Sequence, residues 1–176
     1  MNLIIRQETK NDYLQVFNLI EQAFCNEPFS DHREQYLVEK LRKSDTFVPE
    51  LSIVAEIEKE IAGYLLLSRI TIKNKTGLHP SLALAPVAVK PGFQKQGIGT
   101  KLIKEGHKKA AFLGYKSVIL LGHNEYYPRF GYKNASFFGI SLPFDVPDEN
   151  AMAIELVKNG LKGVSGEVIY PKEFFE

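Results

Sequence analysis

Val87-Ala88-Val89-Lys90-Pro91-Gly92-Phe93-Gln94-Lys95-Gln96-Gly97-Ile98-Gly99-Thr100-Lys101-Leu102-Ile103 carries the chain from an apolar strand through a turn directly into an amphipathic helix. The strand reaches back to Leu82 and is apolar enough to lie inside a sheet. The helix runs from Gly97 to Leu113, with Ile98, Leu102, Ile103, Ala110 and Leu113 apolar and Gly114 suited to the C′ position. Gly97 and Gly99 leave backbone N–H groups uncovered at the helix start. Such a terminus holds an anion through its free donors and positive dipole end, and without Cβ atoms phosphate oxygens can come close. A diphosphate is the expected ligand.

Two commoner phosphate motifs do not fit. Gly92 and Gly97 have P-loop spacing, but Ile98-Gly99 stands where Lys-Ser/Thr is required. Gly97-Ile98-Gly99 opens like a dinucleotide fingerprint, but Leu102 occupies the third glycine position and Glu105 comes too early to hold a ribose.

Outward from this stretch, the pattern predicts a strand at Leu3 to Arg6, a helix from Asn11-Asp12 to about Cys25, a break over Asn26 to Ser30, and a second helix to about Lys43. Leu51 to Ile57 and Ile61 to Ile72 read as a hairpin across Glu58-Lys59-Glu60, and Lys73 to Ser81 as a loop. After the glycine-rich helix come a buried strand at Lys116 to Leu121 and an aromatic turn at Tyr126 to Tyr132. Two more strands follow, near Phe137 to Leu142 and Met152 to Val157, with the loop Pro143 to Asn150 between them. This order implies one mixed α/β sheet with helices on both faces.

At 176 residues the chain is read as one domain spanning 1–176. Its 44% hydrophobic and 24% charged residues exclude disorder. A net charge of +1 supplies no excess to drive binding to nucleic acid or an anionic membrane, so neither is expected as a partner. Cys25 is the single cysteine, which excludes an intramolecular disulfide and multi-cysteine metal sites. Charge arrives too early at the N-terminus for a signal peptide, and the longest strongly apolar runs, Ile61 to Leu67 and Leu82 to Val89, are too short to span a membrane. The expected location is cytoplasmic.

The segment Gln94-x-x-Gly97-x-Gly99 resembles the Gln/Arg-x-x-Gly-x-Gly/Ala signature of the GNAT superfamily, the acetyl-CoA-dependent N-acyltransferases. Tyr126-Tyr127-Pro128-Arg129-Phe130-Gly131-Tyr132, about 30 residues on, resembles that family's aromatic-Tyr-x-x-apolar-Gly-Phe element. It is similar to a bacterial subgroup with a Gly-Asp-x-x-Tyr-Tyr-x-Arg-Phe-Gly-Phe run, His123 replacing the Asp. One departure is Leu120, where many members carry an Asn; Asn124 is a partial substitute.

The resemblance implies a mostly antiparallel α/β (α+β) sheet with a splayed strand pair that holds CoA. It implies acetyl-CoA as cosubstrate, no metal, and direct aminolysis of the thioester by a primary amine. Cofactor contacts fall on Gln94, Lys95, Gln96, Gly97, Ile98, Gly99 and Thr100 for the diphosphate. The backbone of Val87 and Val89 would serve the pantetheine, and an N–H near Val87 or Ala88 the oxyanion. Pro86, which cannot donate to a ladder, independently argues for a bulge there.

Tyr127 matches the family's tyrosine and is the expected general acid for the thiolate, with Tyr126 packed inward. Glu56, His123 and Glu125 are the general bases that topology allows, beside a water relay. The partners expected are acetyl-CoA and an amine of unspecified class, with a homodimer left open. The competing reading is a non-catalytic acyl-CoA-binding sensor or scaffold, which needs the Gln94–Thr100 loop but no acid and no acceptor pocket.

Overall fold

The computed structural model describes residues 2–176. Strand β1 (Leu3–Gln7) leads into helices α1 (Tyr13–Phe24) and α2 (Glu34–Leu41). Then come β2 (Ser52–Ile57), β3 (Glu60–Asn74) and β4 (Gly77–Val89), then α3 (Ile98–Phe112) and β5 (Ser117–Leu121). Four short strands finish the chain: β6 (Lys133–Asn134), β7 (Ile140–Ser141), β8 (Ala151–Glu155) and β9 (Gly166–Ile169).

The sheet runs β1-β2-β3-β4-β5-β8-β6, with β9 on the far part of β3 and β7 beside β9. Neighbours are antiparallel except β4–β5 and β7–β9. Alternation along the strands sorts the core into two layers. Ile53, Ala55, Leu65 and Leu67 face Leu102 and Ile103 of α3. Val54, Tyr64, Leu66 and Ala88 face Val16, Ile20, Val38 and Leu41 of α1 and α2. A third cluster, including Ile70, Ile119, Ala153 and Val168, fills the C-terminal part.

Three expectations are corrected. Lys73 to Ser81 is not a loop: β3 and β4 continue to a tight hairpin at Asn74–Gly77, with Asn74 Oδ1 accepting from the Thr76 N–H at 2.8 Å. Pro80 is tolerated because β4 there pairs only with β3. The second helix is shorter than expected because Ser30 Oγ and Asp31 Oδ1 take the N–H groups of His32 and Arg33, and His32 stands at φ +59°. Phe137 to Leu142 begins in the last half of a 3₁₀ turn, Ala135–Phe138, and only Ile140–Ser141 is strand. The Glu58-Lys59 turn is as read. Both residues have positive φ, +50° and +68°, the geometry of a two-residue hairpin turn that follows strand twist.

Candidate active site

β4 pairs in parallel with β5 at only two positions, Leu82 with Val118 and Ala83 with Ile119. Beyond Ala83 the two strands part, and β5 turns its other edge to β8. The register between β3 and β4 slips between Leu65 and Leu67, so Ala85 and Pro86 form the bulge that Pro86 foretold. Past the bulge, Lys90 N–H donates to Ala62 O at 2.9 Å. Antiparallel pairing alternates, so Ala88 directs its N–H and C=O toward β3, and Val87 and Val89 direct theirs into the gap beside β5. Of the two expected oxyanion donors, Val87 therefore has its N–H in the gap and Ala88 has its N–H spent on the ladder.

The gap ends at the turn before α3. Gly92, Lys95 and Gly97 hold left-handed φ values of +92°, +62° and +79°. A Cβ on Gly97 would meet nothing within 4 Å, so this backbone borders open space. Lys101 is the first residue whose N–H returns to a carbonyl, that of Gly97 at 3.1 Å; the N–H groups of residues 94 to 100 find no backbone acceptor among the described residues. Gln94 Nε2 donates to Val89 O (3.2 Å) and Gln96 Nε2 to Gly92 O (3.2 Å), bracing the turn from both sides. Lys95 and Gln96 are exposed, Gly99 and Thr100 half-buried, and Ile98 plugs the α3 core at 3% exposure. The result is a cradle of unspent donors at a helix N-terminus.

The aromatic turn closes the other side of the gap. Tyr127 is buried, with its ring edge-on to Tyr126 (5.1 Å) and Tyr132 (5.7 Å). Burial pushes its phenol well above the usual tyrosine range, so it stays protonated at neutral pH. Gly122 makes this seat: a Cβ there would lie 2.3 Å from Tyr127 Cε2. Gly122 is itself clamped by Asn150, with Gly122 N–H on Asn150 O (2.9 Å) and Asn150 Nδ2 on Gly122 O (3.0 Å). Asn150 was missed in the sequence, where it ends an apparently featureless loop. Asn124 is exposed and Leu120 is core.

Tyr126 differs from its expected inward packing. It is half-buried, with Arg129 stacked on its ring at 4.5 Å, and a Cβ on Gly99 would lie 3.2 Å from its hydroxyl. Its oxygen therefore sits over the first turn of α3.

Of the three expected bases, Glu56 lies away from this turn, while His123 and Glu125 belong to it with exposed side chains; the His123 carbonyl accepts from the Tyr126 N–H at 3.1 Å. Glu56 lies on β2, opposite Ile61 and two strands from β4, where Arg6 Nε donates to Glu56 Oε2 at 2.9 Å. Arg6 also holds Asp12 at 2.8 Å, and this pairing draws the Asp12 carboxyl down to about 2. The Glu56 carboxylate is thus occupied by a guanidinium from β1. His123 is at the right loop, but its side chain is 66% exposed and its nearest charged neighbour is Glu27 at 3.9 Å.

A splayed strand pair, a bulge and an anion cradle at the next helix are the arrangement that the sequence resemblance implied. Residues 49–134 match the acetyltransferase (GNAT) domain model. Over 123 residues, 69% of this chain and 68% of the relative, the chain is 34% identical to the uncharacterized N-acetyltransferase YjhQ of Escherichia coli K12. The chain belongs to the GNAT acetyltransferase family. Among solved structures, this GNAT chain is similar to YhbS of Escherichia coli, crystallised with CoA, at TM-score 0.89 and 25% identity over 100% of this chain and 93% of that one. It is also similar to a GNAT acetyltransferase of Brucella melitensis, crystallised with acetyl-CoA, at TM-score 0.79 and 27% identity over 98% of each. No helix among the described residues is long and apolar enough to cross a membrane.

Proposed function

We propose that this GNAT protein transfers the acetyl group of acetyl-CoA to a primary amine by direct attack on the thioester. The observation that carries the reading is two sets of backbone donors turned away from the ladder, Val87 and Val89 in the gap and residues 94 to 100 at the start of α3. The α3 cradle, Gln94 to Thr100, takes the diphosphate. The pantetheine arm lies along β4 as a surrogate strand, its amides on Val87 and Val89. The amine nitrogen attacks the thioester carbon, and the carbonyl electron pair moves onto an oxygen held by the Val87 N–H. As the carbonyl re-forms, the C–S bond breaks and the electron pair leaves on sulfur, which takes the Tyr127 hydroxyl proton. The surplus proton on nitrogen passes through water and restores the phenol. The products are an N-acetylated amine and CoA thiol.

The test combines release of CoA thiol across an amine panel with ligand-induced thermal stabilisation. Acetyl-CoA at 100 times its Kd adds about 2.7 kcal/mol to stability, a rise of several degrees in Tm. Gly99→Val places a branched side chain between the cradle and Tyr126 and is expected to abolish the rise. A rise that persists in a folded Gly99→Val protein refutes the cradle. Stabilisation without thiol release from any amine leaves a CoA-binding module and refutes the transferase reading.

A further inference from the structure

β1 is an edge strand: among the described residues it pairs with β2 and with no other strand. Glu8 N–H donates to Ser52 O at 2.8 Å, which sets the phase of this ladder. Alternation then turns the main-chain groups of Arg6 and Ile4 to Val54 and Glu56 of β2, and those of Leu3, Ile5 and Gln7 outward. The Gln7 carbonyl accepts from Arg6 Nη1 at 3.2 Å. The N–H and C=O of Leu3 and Ile5, and the Gln7 N–H, are left to the outside. Such an edge is a template for a further strand.

The side chains of Leu3 and Ile5 lie on the sheet face that carries α3 and pack against its core. α3 runs in the same direction as β1. A Cβ on Gly63 would meet Ile98 and Leu102, and one on Gly106 would meet Leu65 and Leu67, so α3 follows β3; β1 is parallel to β3 through their shared antiparallel partner β2. A groove of about 440 Å³ lies between β1 and α3, floored by Leu3 and Ile5 and walled by Lys101, Lys104, Glu105 and Lys108. The lysines stand at i, i+3 and i+7, on one face of the helix, and cover about 10 Å of its length. Three to four residues of an extended strand cover the same distance. All three lysines are exposed, and none is salt-bridged among the described residues. Glu105 is the groove's single acid, so the wall keeps an excess of positive charge.

We propose that the β1 edge and the lysine row of α3 together dock an acidic, extended segment of a partner protein, which joins the sheet as a further strand. In strand addition, main-chain bonds give affinity and alternate side chains give specificity. An antiparallel segment exchanges main-chain bonds with Leu3 and Ile5 and accepts from the Gln7 N–H, and its residues directly opposite these three share their face of the sheet. Glutamates at those places lay their methylenes over Leu3 and Ile5 and carry their carboxylates to Lys101, Lys104 and Lys108. The intervening residues fall on the other face. There Arg6 is already held by Asp12 and Glu56, and Ile4 is 45% exposed, so an apolar side chain suits the place beside Ile4. The recognised pattern is acid-x-acid-apolar-acid. Charge disfavours a second copy of this chain as the occupant, because pairing two β1 edges would set one lysine row against the other across a single seam. The surface is separate from the proposed acetyl-CoA site and does not rest on that reading.

The experiment titrates the intact protein into the capped, fluorescein-labelled peptide Ser-Glu-Thr-Glu-Val-Glu-Ser and reads anisotropy. Saturable binding is expected at about 50 mM NaCl, weakening about tenfold by about 300 mM as the charges are screened. The double variant Lys104→Glu, Lys108→Glu is expected to weaken it by about tenfold or more and to leave the acetyl-CoA thermal shift unchanged. N-methylation of the central glutamate of the peptide removes one main-chain donor and no charge, and is expected to weaken binding by a similar factor. By nuclear magnetic resonance, amide exchange at Ile5 and Gln7 is expected to slow when the peptide is added, with Ile4 and Arg6 protected throughout. An N-methylated peptide that binds as well reduces the face to an anion patch and overturns strand addition. An Ile5 amide already protected without peptide, in a protein that scatters light as a dimer, gives the edge to a second copy and overturns the proposal. Absence of peptide binding overturns it too, and leaves the lysines as guards that keep other strands off the edge.

Discussion

Gly122→Ala adds one methyl group to a loop that touches no proposed ligand, yet it is expected to impair turnover through Tyr127. The added Cβ would lie 2.3 Å from Tyr127 Cε2 and 2.7 Å from Cδ2, and ordinary contact begins at 3.4 Å. The ring must therefore retreat by about 1.1 Å, or the loop must give, against the clamp at Asn150. Overpacking on this scale costs about 1–3 kcal/mol, which lowers Tm by about 3–9 °C for a chain of this size. A displacement of about 1 Å at a reacting group costs about 10²-fold in rate, or about 2.7 kcal/mol of barrier. The assay is steady-state thiol release at saturating acetyl-CoA in four proteins: unmodified, Gly122→Ala, Tyr127→Phe and the double variant. If the methyl acts by moving the acid, its rate effect vanishes once the hydroxyl is gone, and the double variant matches Tyr127→Phe. Equal rate losses in both backgrounds would refute the reasoning, as would a Gly122→Ala protein that turns over normally.

Tyr127→Phe alone is expected to slow transfer by about 10²-fold while keeping acetyl-CoA affinity. Tyr126→Phe, which removes the hydroxyl over α3, is expected to weaken the acetyl-CoA thermal shift more than it slows the chemistry; the reverse ranking would exchange their roles. Glu56→Gln and His123→Ala are each expected to leave the pH–rate profile unshifted, and a lost inflection in either would install that residue as the base. Burial lowers His107 to about 4, with Tyr132 Oη 2.8 Å from its Nε2. The folded state thus resists a proton that the unfolded chain accepts near its ordinary 6.5. This contribution to stability is full above that value and is lost as pH falls toward 4. Urea midpoints should drop across that window, and in His107→Gln they should drop less.

What could be read in advance was whatever one segment decides for itself. The strand-turn-helix from Val87 to Ile103 carries its own periodicity and glycines, and Pro86 announces its bulge without outside help. β9 gave no such signal: only Val168 of Gly166–Ile169 is buried, and its pairing with Thr71 to Lys73 depends on a strand nearly a hundred residues earlier. The packing of Tyr126 and Tyr127 was equally out of reach, because the space left at Gly122 decides which ring goes inward. Glu56 looked free for the same reason. The arginine that occupies it comes from β1, whose Ile4 and Ile5 lie opposite Glu56 and Ala55, and no local pattern reports a diagonal neighbour across a ladder.

The two-position contact between β4 and β5 has a mechanical consequence. All main-chain pairing between the β1–β4 half of the sheet and the β5–β8–β6 half passes through Leu82–Val118 and Ala83–Ile119. The halves are joined like two boards by a short dowel at one end, with only side-chain packing along the rest of the seam. Such a joint is stiff in shear along the strands and compliant in opening, so the softest deformation of the molecule widens the gap itself. On the proposed reading, a cosubstrate arm bonded to Val87 and Val89 from within that gap would act as the missing batten, so that loading the enzyme would also splice its frame.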